Sequence, residues 1–415
     1  MKVERTEIIL KSDISRVLLR PFDPTTEERN SKIIKRILSL SEQDVQQEVQ
    51  VILSDFKSRH HHFESFVMDQ FKRKWSDYHP LQNISMERKL LIGAYFGLEY
   101  SVEAVGLFNP SLIRHPNQSG ISEGSKRFII SLRATGEGHI SSITFRTGII
   151  EYRNKIKLDK ITRFINSPEI YPVENGYNAI FSEKYPINEH ILFPYAPEEC
   201  NGLEDARFVE FVDDSGKKTY YATYTAYNGK SIHSMLLETH DFYRFKIRKL
   251  YGAVVDNKGL ALFPRKINEQ YVMLSRQDNE NNYIMFSEDL YRWDKKLPLM
   301  EPRYSWEFFQ IGNCGCPIET ERGWLVLSHG VGAMRKYVIS AFLLNLENPT
   351  KVIGRLKKPL LEANESEREG YVPNVVYSCG AKVFNKMLII PYAMSDYAIS
   401  FAMVELDDLM ENLMD

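Results

Sequence analysis

Two adjacent carboxylates and an arginine stand together in the segment Gly202-Leu-Glu-Asp-Ala-Arg207. A carboxyl group can donate a proton to a leaving oxygen, and a neighbouring arginine can orient it or bind an anion. The segment also begins a pattern typical of a β-strand, which would hold these side chains in place. Carboxylate–arginine pairs are common in surface turns as well, so the motif alone does not identify a site.

Other polar residues stand at the ends of short apolar segments. Asn109 opens one such segment, and Arg276 and His329 each follow one. A histidine that ends an apolar strand is more often packed than functional. The occurrence of all three at matching places of successive repeats nevertheless favours a shared site.

These repeats begin at about residue 105, where short alternating β-patterns broken by Gly, Asn, Asp and Pro replace helical ones. The anchors Asp205, Phe263, Pro317 and Pro373 are 58, 54 and 56 residues apart, and Asn109 precedes Asp205 by 96 residues. Several short strands per repeat indicate propeller blades, with about 40 residues inserted in the first repeat. We therefore predict a mainly β fold, a five-bladed β-propeller over 105–415, and regard a two-sheet sandwich as the alternative.

In a propeller the inner strand ends meet at the central channel, so their polar residues are the candidates for a site. The inner positions are Asn109, Asp205, Lys258, Gln310 and Asp396, and the second strands add Arg133, Arg276 and His329.

Residues 1–104 are predicted to form a helical extension. Ser41 and Asp44 form a capping-box-like start, and the residues that follow form an apolar stripe at helical spacing: Val45, Val49, Ile52, Leu53 and Phe56. The stripe predicts packing against the propeller, and a further helix is expected over 85–104. His60, His61 and His62 point in different directions around a helix, which disfavours a metal site.

Composition excludes several classes of function. The chain has 415 residues and a net charge of −2, which offers no attraction to nucleic acid or an anionic membrane. No apolar run reaches the roughly 18 residues of a membrane span, and the charged start lacks an export signal. The four cysteines, Cys200, Cys314, Cys316 and Cys379, form no disulfide framework. We expect a cytoplasmic protein without a metal, with aromatic residues (12%) filling the space between blades.

Over about residues 105–410 the chain resembles glycoside hydrolase family 130, five-bladed propeller enzymes that act on β-mannosides. The resemblance rests on an ordered set of motifs: Phe108-Asn-Pro110, Ser131-Leu-Arg133, Leu203-Glu-Asp-Ala-Arg207, Asn257-Lys-Gly-Leu-Ala-Leu-Phe-Pro264, Met273-Leu-Ser-Arg276, Ser287-Glu-Asp-Leu-Tyr-Arg-Trp293, Gly323-Trp-Leu325 with His329-Gly330, and Tyr392-Ala-Met-Ser-Asp396. The helical extension is absent from shorter members, and Arg133–Ser142 looks like a distinct, longer subgroup.

The resemblance implies roles for individual residues. Asp205 matches the general acid of the family, although Ala206 replaces the usual proline of that motif. The residues implied to bind the sugar are Asn109, Arg133, Glu204, Arg207, Gln310 and Asp396. The residues implied to bind phosphate are Lys258, which replaces a frequent arginine, Arg276 and His329. Gln310 stands where the family commonly has lysine.

Three functions remain open at this stage. An inverting phosphorylase would use inorganic phosphate as co-substrate, with no cofactor, and would give α-mannose 1-phosphate from a β-1,2- or β-1,4-linked manno-oligosaccharide. An inverting β-1,2-mannosidase would need a carboxylate base, for which Glu137, Glu204 and Glu307 are candidates. The position of His329 is acidic in such hydrolases but not here, which favours phosphorolysis. A non-catalytic carbohydrate-binding propeller is the third reading, and a homo-oligomer is left open.

Overall fold

The computed structural model describes residues 1–23, 26–75, 81 and 83–414. It divides the chain into two compact units. The β unit comprises Met1–Ser12, Glu103–Ile161 and Ser167–Asp415, and the helical unit comprises Asp13–Val102 and Thr162–Asn166. This division differs from a single boundary at residue 104, because the first twelve residues belong to the β unit.

The chain is mainly β. The α-helices are α1 (Glu27–Leu38), α2 (Glu42–Phe56), α3 (Phe63–Trp75), α4 (Met86–Ala94) and α5 (Leu406–Met414). The strands are β1 (Val3–Arg5), β2 (Leu10–Lys11), β3 (Val17–Pro21), β4 (Gly97–Ser101), β5 (Gly106–Arg114), β6 (Lys126–Thr135), β7 (Ser141–Ile150), β8 (Ile156–Leu158), β9 (Glu169–Val173), β10 (Gly176–Ile180), β11 (Ile191–Leu192), β12 (Gly202–Val212), β13 (Lys218–Tyr227), β14 (Ile232–Thr239), β15 (Arg244–Lys249), β16 (Ala261–Leu262), β17 (Tyr271–Ser275), β18 (Asn282–Ser287), β19 (Lys296–Met300), β20 (Gln310–Asn313), β21 (Ile318–Thr320), β22 (Gly323–Val331), β23 (Tyr337–Leu344), β24 (Val352–Arg355), β25 (Leu361–Glu362), β26 (Val376–Tyr377), β27 (Lys382–Phe384), β28 (Met387–Met394) and β29 (Ala398–Glu405).

The helical unit is built around α1–α4 and the antiparallel strand pair β3–β4. Helix α2 begins with the predicted capping box, since the Asp44 amide donates to Ser41 Oγ at 3.1 Å and the Ser41 amide donates to Asp44 Oδ2 at 3.3 Å. The apolar stripe of α2 packs in this unit's own core, where Val45 and Val49 are buried with Phe71.

The helix predicted over 85–104 is wrong in its second half. Helix α4 ends at Ala94, and β4 (Gly97–Ser101) pairs antiparallel with β3 instead. Gly97 lies close enough to Phe66 that an added Cβ would come within 2.8 Å of its ring, so this glycine permits the close approach of the chain. Pairing with a distant segment thus overrides a local helical pattern.

The β unit contains four sheets among its described residues. An eleven-stranded sheet runs β5-β6-β7-β12-β13-β14-β15-β10-β9, with β8 and β11 on β7, and a four-stranded sheet runs β16-β17-β18-β19. A six-stranded sheet runs β20-β22-β23-β24 with β21 and β25, and another runs β1-β29-β28-β26 with β2 and β27. The pairing of β1 with β29 explains why the amino terminus belongs to this unit.

Aromatic side chains fill the space between these strands. Phe145 on β7 lies 6.1 Å from Phe208 on β12, measured between ring centroids. Phe263, next to β16, lies 5.2 Å from Trp324 on β22, in the following sheet. These four side chains are buried, so the high aromatic content serves mainly as core. Over the described part of the chain, no helix is long and apolar enough to cross a membrane.

Candidate functional site

Two equivalent β-bulges place Asn109 and Asp205 against each other. Strand β5 shifts register between Phe108 and Ser111, and β12 shifts register between Glu204 and Arg207. Each bulge holds one residue in the left-handed region, Asn109 with φ 50° and Asp205 with φ 54°. A bulge re-aims a side chain that regular pairing would send elsewhere. As a result, Asn109 Nδ2 donates to Asp205 Oδ1 at 2.7 Å.

Arg133 on β6 bridges the two carboxylates of the Glu204-Asp205 pair. Its Nη2 donates to Glu204 Oε1 at 2.8 Å, and its Nη1 lies 3.4 Å from Asp205 Oδ1. The Nε of Arg133 donates to Ser141 Oγ at 2.9 Å, which fixes the plane of the guanidinium. Glu204 also accepts from Lys258 Nζ at 2.6 Å. Lys258 therefore joins the carboxylate pair and not the Arg276–His329 pair.

Arg207 lies almost fully buried beneath Asp205. Its Nη1 donates to the Asp205 carbonyl oxygen at 3.0 Å, its Nε to the Cys314 carbonyl oxygen at 3.1 Å, and its Nη2 to the Tyr377 hydroxyl at 2.8 Å. Through these hydrogen bonds, the guanidinium of Arg207 stabilises the bulge of β12 that contains Asp205. This geometry favours a positioning role over the direct sugar contact expected from the sequence.

The charges around Asp205 set its protonation. Burial by itself would raise the pKa of Asp205, but the nearby Arg133 and Arg207, the hydrogen bond from Asn109 and the charge of Lys258 together lower it below the ordinary value. Asp205 is therefore a carboxylate near neutral pH in the free protein.

Asp396 belongs to the same charged group, but its pKa is shifted in the opposite direction to that of Asp205. It lies in the turn after β28 with φ 53°. Burial, together with the negative charges of Asp205 and Glu204, raises the pKa of Asp396 to about 6, against the lowering effect of Arg133. Two carboxyl groups with opposite pKa shifts thus share one arginine.

Arg276 and His329 form a second group on neighbouring sheets. Arg276 Nη1 lies 3.2 Å from His329 Nε2. With the Gln310 amide oriented to satisfy both of its polar atoms, its oxygen accepts from Arg276 Nη1 and its nitrogen donates to the Asn279 carbonyl oxygen at 3.0 Å. Gln310 therefore orients the guanidinium.

His329 is neutral in this environment. Its pKa is lowered well below the ordinary value, first by burial and then by the positive charges of Arg276 and Arg207. The site can therefore use His329 as a hydrogen-bonding group and Arg276 as the charged one.

Tyr377, on β26, joins the two groups. Its hydroxyl accepts from Arg207, and its ring lies 5.1 Å from that of His329, centroid to centroid. No sequence pattern distinguishes Tyr377 from the many core tyrosines, because its role depends on two residues distant in the chain.

Three buried polar atoms of the site have no hydrogen-bond partner within the described residues: Asn109 Oδ1, Arg276 Nε and His329 Nδ1. Buried polar atoms are normally paired, so these atoms are suited to meet a ligand or water. Within residues 1–23, 26–75, 81 and 83–414, no three His, Cys, Asp or Glu side chains are arranged to hold a metal ion.

Comparison with known proteins gives a family for this architecture. The model of glycoside hydrolase family 130, described as β-1,4-mannooligosaccharide phosphorylase, matches residues 142–415. A 1,2-β-oligomannan phosphorylase of Thermoanaerobacter sp. (strain X514) is 38% identical over 229 residues, which cover 54% of this chain and 75% of the relative. A β-1,2-mannobiose phosphorylase of the same organism is 32% identical over 291 residues, covering 68% of this chain and 92% of the relative.

A solved structure shares the fold. The β-1,2-mannobiose phosphorylase from Listeria innocua, in complex with β-1,2-mannobiose, superposes with a TM-score of 0.52 at 22% identity, over 76% of this chain and 93% of that one. The family match covers all of the candidate residues except Asn109, Arg133 and Glu137, which precede residue 142. This chain belongs to glycoside hydrolase family 130.

Proposed function

We propose that this enzyme is an inverting β-mannoside phosphorylase that acts on β-1,2-linked manno-oligosaccharides and yields α-mannose 1-phosphate. The observation that carries the proposal is the arrangement of Asp205 between Asn109 and Arg133, joined through Arg207 and Tyr377 to Arg276 and His329. The β-1,2 linkage is taken from the relatives, two of which carry that linkage in their names.

In the proposed reaction a phosphate oxygen attacks the anomeric carbon of the mannose unit, and the bond from that carbon to the glycosidic oxygen breaks. The electron pair goes to the leaving oxygen, which takes a proton that originates on Asp205, directly or through a mannose hydroxyl. The proton released from phosphate then replaces the one lost by Asp205. Attack from the face opposite the leaving group inverts the anomeric configuration.

Phosphate has a second effect in this scheme. Arg133 and Arg207 keep Asp205 ionised in the free protein, so a proton must be acquired before Asp205 can act as an acid. A bound phosphate dianion near Arg276 offsets part of the positive charge and so raises the pKa of Asp205. The co-substrate would thereby prepare the acid that its own attack requires.

The contacts of Glu204 and Glu307 favour phosphorolysis over hydrolysis. Glu307, a candidate base, is buried and accepts from the Arg303 amide at 2.7 Å, the Tyr304 amide at 2.8 Å and Arg355 Nη2 at 2.5 Å. Glu204 accepts hydrogen bonds from Arg133 and Lys258. It also lies on the same strand as the acid Asp205, whereas a water-activating base belongs on the opposite face of the sugar. We therefore assign structural or orienting roles to both.

We further propose that the β unit is a five-bladed propeller. The eleven-stranded sheet supports this, because β7 and β12 meet only at the parallel pair Ser141–Gly202, which separates β5-β6-β7 from β12-β13-β14-β15. The remaining three sheets would supply the other blades, the last one completed by β1 from the amino terminus. Asn109, Asp205 and Gln310 then stand on the inner strands of the first, second and fourth blades.

The deciding experiment is incubation of the protein with β-1,2-mannobiose in the presence and absence of inorganic phosphate. The proposal predicts α-mannose 1-phosphate and mannose, formed only with phosphate. Release of mannose at the same rate without phosphate would establish a mannosidase instead. Sugar binding without any turnover would favour the non-catalytic reading.

A further inference from the structure

Two loops of the β unit share one conformation. The loop after β6 is closed by a hydrogen bond from the Gly136 amide to the Ile140 carbonyl oxygen at 3.0 Å, and the loop after β22 is closed by one from Gly332 to Lys336, also at 3.0 Å. Both loops pass through the left-handed region, at His139 in the first and at Met334 and Arg335 in the second. Their similarity indicates equivalent positions on two different sheets.

Both loops lie at the end of the sheets that carries the candidate site. Gly136 comes three residues after Arg133, and Gly332 comes three residues after His329. Since a strand residue advances the chain by about 3.3 Å, each loop stands roughly 10 Å above its site residue. The two loops therefore border the opening of the site.

The tips of these loops carry side chains that do not pack in the core. Met334 is 94% exposed although it is apolar and its backbone is in a conformation disfavoured for a side chain. Backbone strain combined with an exposed apolar side chain marks a position maintained for contact and not for packing.

An exposed tyrosine completes the border. Tyr371 is 58% exposed, its hydroxyl lies 3.3 Å from His139 Nδ1, and the two ring centroids are 5.5 Å apart. The next residue, Val372, donates from its amide to the Ser395 carbonyl oxygen at 3.0 Å, beside Asp396. Arg335 lies near enough to Asp396 to act on its carboxyl electrostatically. His139, Met334, Arg335 and Tyr371, which we call the rim, thus surround the Asp396 side of the opening.

We propose that the rim binds the sugar units beyond the cleaved bond, on the leaving-group side, and so selects oligosaccharides over single sugars. This inference rests on the proposed function. If the mannose unit and phosphate bind among the buried site residues, which include Asn109 and Arg276, the remaining sugar units of the substrate must extend through the opening. There the Tyr371 ring offers an apolar face to the C–H groups of a sugar, and His139 and Arg335 offer hydrogen bonds to its hydroxyls.

Binding and turnover should be measured on the wild type and on Tyr371→Ala, Tyr371→Phe and Tyr152→Ala. Tyr152 is a matched control, since it is 72% exposed and follows the far end of β7, roughly 30 Å along that strand from Ser141. Calorimetry with β-1,2-mannotriose and with mannose gives the affinities independently of catalysis. Synthesis from α-mannose 1-phosphate and mannose acceptors gives separate KM values for donor and acceptor.

We expect Tyr371→Ala to weaken mannotriose binding and to raise the acceptor KM about tenfold, with the donor KM within about twofold of wild type. Tyr371→Phe should retain most of the binding, and Tyr152→Ala should have no effect. Unchanged mannotriose affinity in Tyr371→Ala, or a wild type that binds mannotriose no more tightly than mannose, would overturn the rim assignment. Absence of turnover with intact mannotriose selectivity would refute the phosphorylase proposal alone.

Discussion

The side-chain amide of Asn109 donates to one oxygen of Asp205 at 2.7 Å, between strands β5 and β12, which bulge at equivalent positions. The hydrogen bond fixes the carboxylate without neutralising it, because the amide carries no charge. Arg133 then approaches the same oxygen from the second strand of the first repeat. The carboxylate is thereby oriented by groups from two repeats, which is the arrangement expected of a general acid.

Replacing Asp205 by Asn should abolish proton donation while keeping the shape of the side chain. We expect kcat for mannobiose phosphorolysis to fall roughly 10²–10⁴-fold, with the sugar KM changed little. Asp214→Asn is a suitable control, because Asp214 is exposed beyond the other end of β12. A kcat for Asp205→Asn within a few-fold of wild type would assign the acid to another residue.

Arg276→Gln tests the phosphate position. The guanidinium is the charged member of the pair with His329, and a charge-assisted hydrogen bond to a dianion is typically worth about 1.5–3 kcal/mol. The phosphate KM should therefore rise roughly 10- to 100-fold, with a smaller effect on the sugar KM. The control is Arg265→Gln, since Arg265 pairs with Glu319 at the opposite end of the β16–β17 hairpin. An unchanged phosphate KM in Arg276→Gln would place the anion elsewhere.

Much of this site was accessible from the sequence because it follows a repeat. The spacing of the anchors divides the chain into repeats, and the short apolar segment that Arg276 follows is strand β17 (Tyr271–Ser275). The same spacing placed Asn109, Asp205 and Gln310 on strands that begin a repeat. Strand patterns and turn residues are local properties, so they can be recognised in a short window of sequence.

Long-range partners were not accessible in this way. The Nζ of Lys258, which the family resemblance implies in phosphate binding, pairs with Glu204, 54 residues earlier in the chain, and the sequence did not predict this contact. It likewise did not predict that Arg207 donates to Cys314 and Tyr377. The pairing of β1 with β29 likewise joins the two ends of the chain. Each of these depends on packing between segments that no local pattern connects.

Glu307→Gln separates a structural glutamate from a catalytic base. The carboxylate is 1% exposed, accepts two backbone amides and pairs with Arg355, so the amide would present donors to donors and leave Arg355 without a charge partner. Breaking such a buried pair costs about 3–5 kcal/mol, and we expect Tm to fall by roughly 5 °C or more. The kcat should stay within about tenfold of wild type. A 10²-fold or larger loss of kcat at an unchanged Tm would instead identify Glu307 as a base and favour hydrolysis.

The raised pKa of Asp396 makes a prediction about stability that does not depend on catalysis. Burial and the neighbouring Asp205 and Glu204 raise the pKa to about 6 in the folded protein, against about 3.9 in an unfolded chain. Between these values the folded state binds a proton that the unfolded state has released. The contribution of Asp396 to stability is therefore fully present below about pH 4 and is lost as the pH rises through about 6.

Asp396→Asn removes this titration, so the variant should gain in Tm relative to wild type as the pH rises. We expect the Tm difference, variant minus wild type, to be larger at pH 8 than at pH 5, measured by differential scanning calorimetry. The titration of Asp205 occurs in both proteins and largely cancels in the difference. Asp214→Asn, at an exposed position, should give the same difference at both pH values. If the Asp396→Asn difference were equal at the two pH values or smaller at pH 8, then Asp396 would be an ordinary carboxylate whose charge is fully compensated by Arg133.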